Sequence, residues 1–373
     1  MEKGFSIDET KFDRLFFEKG VLVLTEDTIV FRYNCMVEYY LAKKAEQTPE
    51  FLSYILSNKN YLNYQNELLY YTGLNRRNTD VVKKMQVELY SYFDRLNGVI
   101  EELKDYNIGM DISFPEEKFS QKISKSKLTQ EQSDEFQDTE DISEISTPED
   151  INKQITHEEK DAYMETLSIY GSCLKNLELI SKKEKEHMYK DYIQGLCIVL
   201  GIFKKSTEKF FNDEISDMKQ TPEKHSEEDI KKINLMAQDI LRISLPIILQ
   251  KIAFENIGTT KLKSILEDVL DNNEESEFAK FFSVFLFCDL RLPGFKYVLK
   301  NYCKESKAKD ESLLKIIFFK LLYYYRFRYF SSSFDLFLEN TLADINTKLN
   351  GGSKQGKSEI IQGLKANRPI INI

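Results

Sequence analysis

The sequence predicts a mainly α-helical protein that opens on a short β-hairpin, followed by a helical arm and a second all-α domain. Three observations carry this. Residues 21–31 set two short apolar runs either side of a polar Thr25-Glu26-Asp27-Thr28 turn, which is hairpin text. From residue 31 onward apolar residues recur at spacings of three and four, the period of a helix face, with no alternating strand text between them. Between residues 106 and 159 the composition turns polar and acidic, so the helical text falls into two halves.

Taken in order, residues 5–19 place Phe5, Ile7, Phe12, Leu15 and Phe16 on apolar faces, with Asp8 as N-cap and Gly20 as the stop. With the hairpin they make a first segment, residues 1–30. A helical arm follows over residues 31–105. Within it Thr48-Pro49-Glu50 is a cap with proline at the first helical position, launching Phe51, Leu52, Ile55 and Leu56. Tyr61 to Tyr71 is expected to stop at Thr72-Gly73. Asn78-Thr79-Asp80 then caps a third helix carrying Val81, Val82, Met85 and Leu89. No fixed repeat period runs through these helices.

Residues 106–159 hold too little apolar area to offset chain entropy and read as an acidic disordered linker, a solvated tether in which short pieces such as Asp141-Ile142-Ser143-Glu144-Ile145 are the alternative, a docking motif. Residues 160–350 return to helices with wide aromatic faces, which must pack together as an all-α domain. Pro246 restarts one of them. Residues 351–373 read as a flexible tail.

Composition excludes several classes. With 42% hydrophobic and 13% aromatic residues the 373-residue chain folds, and its net charge of −9 argues against a general phosphate-backbone binder. Cys35, Cys173, Cys197, Cys288 and Cys303 form no close pair and there are three histidines, so free thiols in a reducing cytosol are expected and no metal. The N-terminus lacks an apolar stretch of signal-peptide length, and no window meets the length and polarity of a membrane span. A cytoplasmic protein is expected.

Candidate chemistry is sparse. Residues 351–358, GGSKQGKS, match G-x-x-x-x-G-K-[ST], the phosphate-cradling loop of P-loop NTPases. That loop needs a buried strand before it and a helix after it, and what precedes it here is the amphipathic run from Asn340 to Asn350. His157, His187 and His225 lie in polar segments without metal-ligand spacing. The run Phe318 to Phe330, FFKLLYYYRFRYF, reads as a core helix with a basic rim, the alternative being a binding groove. No catalytic, cofactor-binding or metal-binding residue is assigned, and no cofactor is expected.

Phe31, Tyr33, Met36, Glu38, Tyr39, Tyr40 and Ala42 form the one distinctive constellation. Their spacing resembles a signature of the STAND signalling NTPases, particularly the NACHT branch: an aromatic, a His two residues on, an apolar residue, then Glu, two aromatics and a small residue. The resemblance implies that the hairpin is the wing of a winged-helix remnant and that the helix after it opens the arm. It makes Glu38 a structural carboxylate bonded to donors at that junction. Tyr33 stands where the family has a histidine leaning towards nucleotide phosphates, a departure from the pattern. In the family a nucleotide-binding core precedes the winged helix, so this chain is expected to be the back half of a larger machine, with the remnant poorly covered on one side.

The function implied is the non-catalytic recognition or regulatory region of a STAND/NACHT-like signalling or antiviral defence protein. Residues 160–350 would bind a macromolecular trigger through helical surfaces, and the implied partners are proteins, including a separately encoded or missing NTPase core, with neither membrane nor nucleic acid. A stand-alone helical scaffold for protein–protein interaction is the competing reading. A P-loop nucleotide-binding protein acting through residues 351–358 is a third.

Overall fold

The hairpin forms where the sequence places it. In a computed structural model of the protein, which describes residues 16–25, 28–104, 159–220, 228, 231–233, 243–272, 275–306, 311–328, 331–349 and 354–366, β1 (Leu22–Thr25) pairs antiparallel with β2 (Thr28–Phe31). Leu22 lies opposite Phe31 and Thr25 opposite Thr28. The Arg32 N–H donates to the Val21 carbonyl at 2.9 Å, which carries the ladder one pair further. Ahead of the hairpin Gly20 sits at φ +66, in the left-handed region that glycine adopts at least cost. The Gly20 N–H donates to the Phe17 carbonyl (3.0 Å) and the Val21 N–H to the Phe16 carbonyl (2.8 Å), the paired bonds that close a helix through a left-handed residue. Gly20 is therefore the stop read from the sequence. The cap expected at Asp8 lies outside the described residues.

The chain forms two compact units, Met1–Glu88 with Ser143–Ile180, and Leu89–Ile142 with Ser181–Ile373. In the first, the hairpin is followed by α1 (Asn34–Gln47), α2 (Pro49–Leu56), a 3-10 turn (Asn60–Asn63), α3 (Gln65–Leu74), the start of α4 (Asp80–Lys104) and α5 (Glu159–Asn176). Pro49 occupies the first turn of α2, and Asn78 Oδ1 accepts from the Asp80 N–H at 2.8 Å to launch α4. Helix α3 runs through Thr72-Gly73, where a stop was expected, to Leu74. The reason is tertiary: Asn176 Nδ2 on α5 donates to the Leu69 carbonyl at 2.9 Å, so the last turn of α3 finds a partner that local sequence does not reveal. Residues 160–180, grouped with the C-terminal half in the sequence, pack in this first unit, and Tyr61 and Thr166 share a buried hydroxyl bond of 3.1 Å. Its core is built on Ala42, Ala45, Ile55, Tyr61, Leu68, Tyr71, Leu167 and Tyr170.

The second unit contains α6 (Lys182–Gln220), α7 (Leu245–Ile257), α8 (Lys263–Asp271), α9 (Glu277–Asp289), α10 (Phe295–Ser306), α11 (Glu311–Phe327), α12 (Ser332–Leu349) and α13 (Lys354–Ala366). Helix α9 is its axis. Every residue from Phe281 to Asp289 is buried, the mark of a helix packed all round, and α9 touches α6, α7, α8 and α10. Ser276 caps it by accepting from the Ala279 N–H at 3.2 Å. Pro246 sits in the first turn of α7. The aromatic run on α11 is core: Phe318, Leu321, Tyr324 and Tyr325 are buried, while Tyr323 and Phe327 reach the surface. Part of the stretch read as a tail is helix α13, seated on α12 through buried Leu364 and an ion pair of 3.3 Å from Lys365 to Glu339. The segment read as a linker lies outside the described residues apart from its last residue, Glu159, the first of α5. No described helix is long and apolar enough to cross a membrane.

Candidate functional site

The hairpin hands the chain to α1 at Arg32-Tyr33, and the residues singled out in the sequence gather there. Tyr33 is the N-cap of α1, in extended backbone (φ −122, ψ 125) with no side-chain capping bond, and its ring stands 53% exposed beneath the Arg32 guanidinium at 5.8 Å. Further along, α1 turns Ala42 and Ala45 into the core, where a small residue lets neighbouring helices approach. Tyr39, three residues before Ala42, shares its side of the helix towards α3, while Met36 and Tyr40 lie further round. Phe31 stacks on Tyr40 with centroids 5.6 Å apart; Tyr39 meets Tyr40 edge-on at 5.7 Å and Tyr70 of α3 at 6.2 Å. Such offset and edge-on pairs hold ring orientation beyond simple burial.

Glu38 points towards α3, where it accepts a hydrogen bond from Asn66 Nδ2 at 2.7 Å. Its neighbour there, Glu67, is held above the usual carboxylate range, first by burial and then by the Glu38 charge. Asn66 thus braces a carboxylate that a second carboxylate opposes. Above this brace Phe16, Val21, Cys35, Met36, Tyr39, Tyr40 and Tyr70 wall an open groove of about 430 Å³. Tyr39 and Tyr40 remain 38% and 50% exposed and Tyr70 38%, so the groove presents ring faces to solvent. Chemically it can take apolar side chains and hydrogen-bond through three phenol hydroxyls.

The structure thus brings all seven residues to one junction, with Ala42 behind it in the core. What local sequence could not show is the opposite wall, Tyr70 with Asn66 and Glu67, because α3 meets α1 only through the fold. The α1–α3 spacing carries no motif.

Other candidates disperse. Gly356, Lys357 and Ser358 of the P-loop match lie within α13, and Lys357 Nζ pairs with Asp344 at 2.6 Å. His187 faces Asp191 at 3.6 Å on the surface of α6, while His157 and His225 lie outside the described residues. Among the described residues no three His, Cys, Asp or Glu side chains are placed to hold a metal.

A second constellation, unmarked in the sequence, lies within the second unit. Asp289, buried at the end of α9, accepts from Gln250 Nε2 (2.8 Å) and Lys320 Nζ (3.2 Å), and its other oxygen faces Arg328 at 2.9 Å. Lys320 also donates to the Gln250 side-chain carbonyl, and it lies 5.2 Å from the Tyr324 ring centroid. Burial pushes its ammonium below the ordinary value of 10.5, against the pull of Asp289. Its only trace in the sequence is a charge inside each of two apolar runs, FLFCDL and FFKLLYYY.

The fold and the junction define a mainly α-helical chain with an exposed aromatic groove at its hairpin. Comparison with protein-family models, with curated proteins and with solved structures found no match.

Proposed function

We propose that this chain is a cytoplasmic recognition and regulatory part of a STAND/NACHT-like signalling or defence protein, and that the groove at the hairpin junction docks a protein partner, the nucleotide-binding core. The observation that carries this is the cluster of tyrosines left open there: Tyr39, Tyr40 and Tyr70 are each more than a third exposed around one groove. Contiguous apolar surface of that kind marks interaction sites, and tyrosine supplies large contact area with little conformational entropy to lose. The resemblance of Phe31 to Ala42 to the family signature supports the choice of partner. Trigger recognition belongs on this reading to the helices of the second unit.

The test begins in the DNA next to the coding sequence. An upstream open frame encoding a P-loop core supports the proposal if the purified core binds the full chain and Tyr39→Ala with Tyr70→Ala weakens binding by about 2 kcal/mol or more, the scale of interface hot spots. A core that does not bind, or that binds the double variant equally well, overturns it. In that case the competing reading, a stand-alone helical scaffold, takes its place.

A further inference from the structure

Beyond its open rings, the groove at the hairpin junction holds polar groups that the chain itself does not match. Tyr39 and Tyr40 of α1 and Tyr70 of α3 meet other rings, but among the described residues their hydroxyls make no hydrogen bond. Any occupant that covers these donors must bring acceptors, because a hydroxyl taken out of water without a partner is destabilising.

Charge is unmatched at the same place. Glu38 accepts from a neutral amide, that of Asn66, and among the described residues no cation pairs with it or with its neighbour Glu67. Tyr70 lies above its ordinary value of 10.0, by burial first and then by Cys35 and Glu38 nearby, which sets the Glu38 carboxylate at the α3 wall of the groove. A basic side chain entering the groove therefore meets a pair of carboxylates that lack a counter-charge.

The form of the occupant follows from what these walls offer. Helices α1 and α3 use their backbone groups internally, so a β-strand would find no ladder partner on them. A helical segment arrives with its own carbonyls bonded and leaves the phenol hydroxyls unmatched. A polyproline II segment has no internal hydrogen bonds, keeps its carbonyls free to accept, and lays proline rings on aromatic faces. We propose that the groove takes a proline-rich segment of this kind that carries a basic residue: prolines against Tyr39, Tyr40 and Tyr70, backbone carbonyls accepting from their hydroxyls, and the basic residue paired with Glu38 and Glu67. Such recognition rests on the groove being the protein-docking surface proposed above, whichever protein supplies the segment.

The test is isothermal titration calorimetry of the purified full chain with oligoproline flanked by arginine, oligoproline flanked by glutamate, and a flexible Gly/Ser peptide flanked by arginine. The first should bind about tenfold more tightly than either of the others. The Gly/Ser peptide controls for the general attraction of a chain with net charge −9. Glu38→Gln keeps an acceptor for Asn66 and should narrow the preference for arginine over glutamate about threefold. Tyr39→Phe with Tyr70→Phe keeps the rings and should weaken the arginine-flanked oligoproline about tenfold. No binding of that peptide, equal binding of the Gly/Ser peptide, or affinities that either variant leaves unchanged overturns the proposal. If the P-loop core binds through the tyrosines and oligoproline does not, this proposal alone falls; if oligoproline binds and the core does not, the core falls as partner and the ligand class of the groove stands.

Discussion

Replacing Asp289 with alanine is expected to destabilise the second unit by about 3–5 kcal/mol, the cost of leaving a buried charge without its partner. The carboxylate is 2% exposed and is met by Lys320, itself 4% exposed, and by Arg328 at the close of α11. Removing it strands the Lys320 ammonium among Phe285, Tyr323 and Tyr324 with Gln250 alone to accept its protons. Lys320→Met in the same chain should recover much of the loss, because an apolar side chain of similar length asks for no counter-charge. Urea denaturation of the single and double variants checks this. Equal and additive losses would show that the two groups do not act as a pair.

Alkaline solution should unfold the protein steeply, the second of the two large effects. Burial raises the Cys173 thiol from 9.0 to about 12 and the Cys197 thiol to about 11, and pushes Cys288 well above 9.0. Tyr189, Tyr192 and Tyr324 are likewise raised above 10.0 by burial. These groups are neutral when protonated, so the folded state keeps protons that the unfolded chain releases. The stability they contribute is complete below the unfolded values of 9.0 for cysteine and 10.0 for tyrosine, and is lost as pH rises towards the folded ones. Each fully titrating group removes about 1.4 kcal/mol per pH unit. Lys320 works the other way, since its lowered value makes its burial less costly as pH rises. Five of these six acids belong to the second unit, and the first holds Cys173 with Tyr64, Tyr70 and Tyr71, which burial also raises, so both units should lose stability. Denaturation curves at about pH 8 and about pH 10.5 measure the difference, and matching midpoints would contradict the burial of these side chains.

Much of the fold was legible because local chemistry decides it. Two apolar runs about a Thr-Glu-Asp-Thr turn can pair in one register, Gly20 alone relieves the left-handed stop before them, and spacings of three and four leave helix as the remaining choice. Where tertiary partners decide, the sequence was silent. Thr72-Gly73 reads as a stop until Asn176 supplies a donor for the Leu69 carbonyl. Residues 160–180 read as the start of the second half until Thr166 and Asn176 meet Tyr61 and Thr72. The last five residues of the match to G-x-x-x-x-G-K-[ST], Lys354 to Ser358, fall in α13, and Lys357 pairs with Asp344 one helix away.

The junction was legible in half. Phe31 to Ala42 announce themselves by spacing, but the wall formed by Tyr70 and the brace from Asn66 arrive only when α3 folds against α1. The Asp289 network left only the trace of a charge inside each of two apolar runs, and its members, spread from Gln250 to Arg328, meet only in the fold.

The most direct measurement is the alkylation rate of Cys35 by N-ethylmaleimide in the full chain, alone and with the P-loop core added. Cys35 lines the groove and is exposed, whereas Cys173, Cys288 and Cys303 are buried, so its labelling reports whether the groove is filled. A docked partner should slow that labelling in proportion to the fraction of chain bound. Unchanged labelling at a saturating concentration of core would show that the tyrosine groove is not where this protein meets its partner.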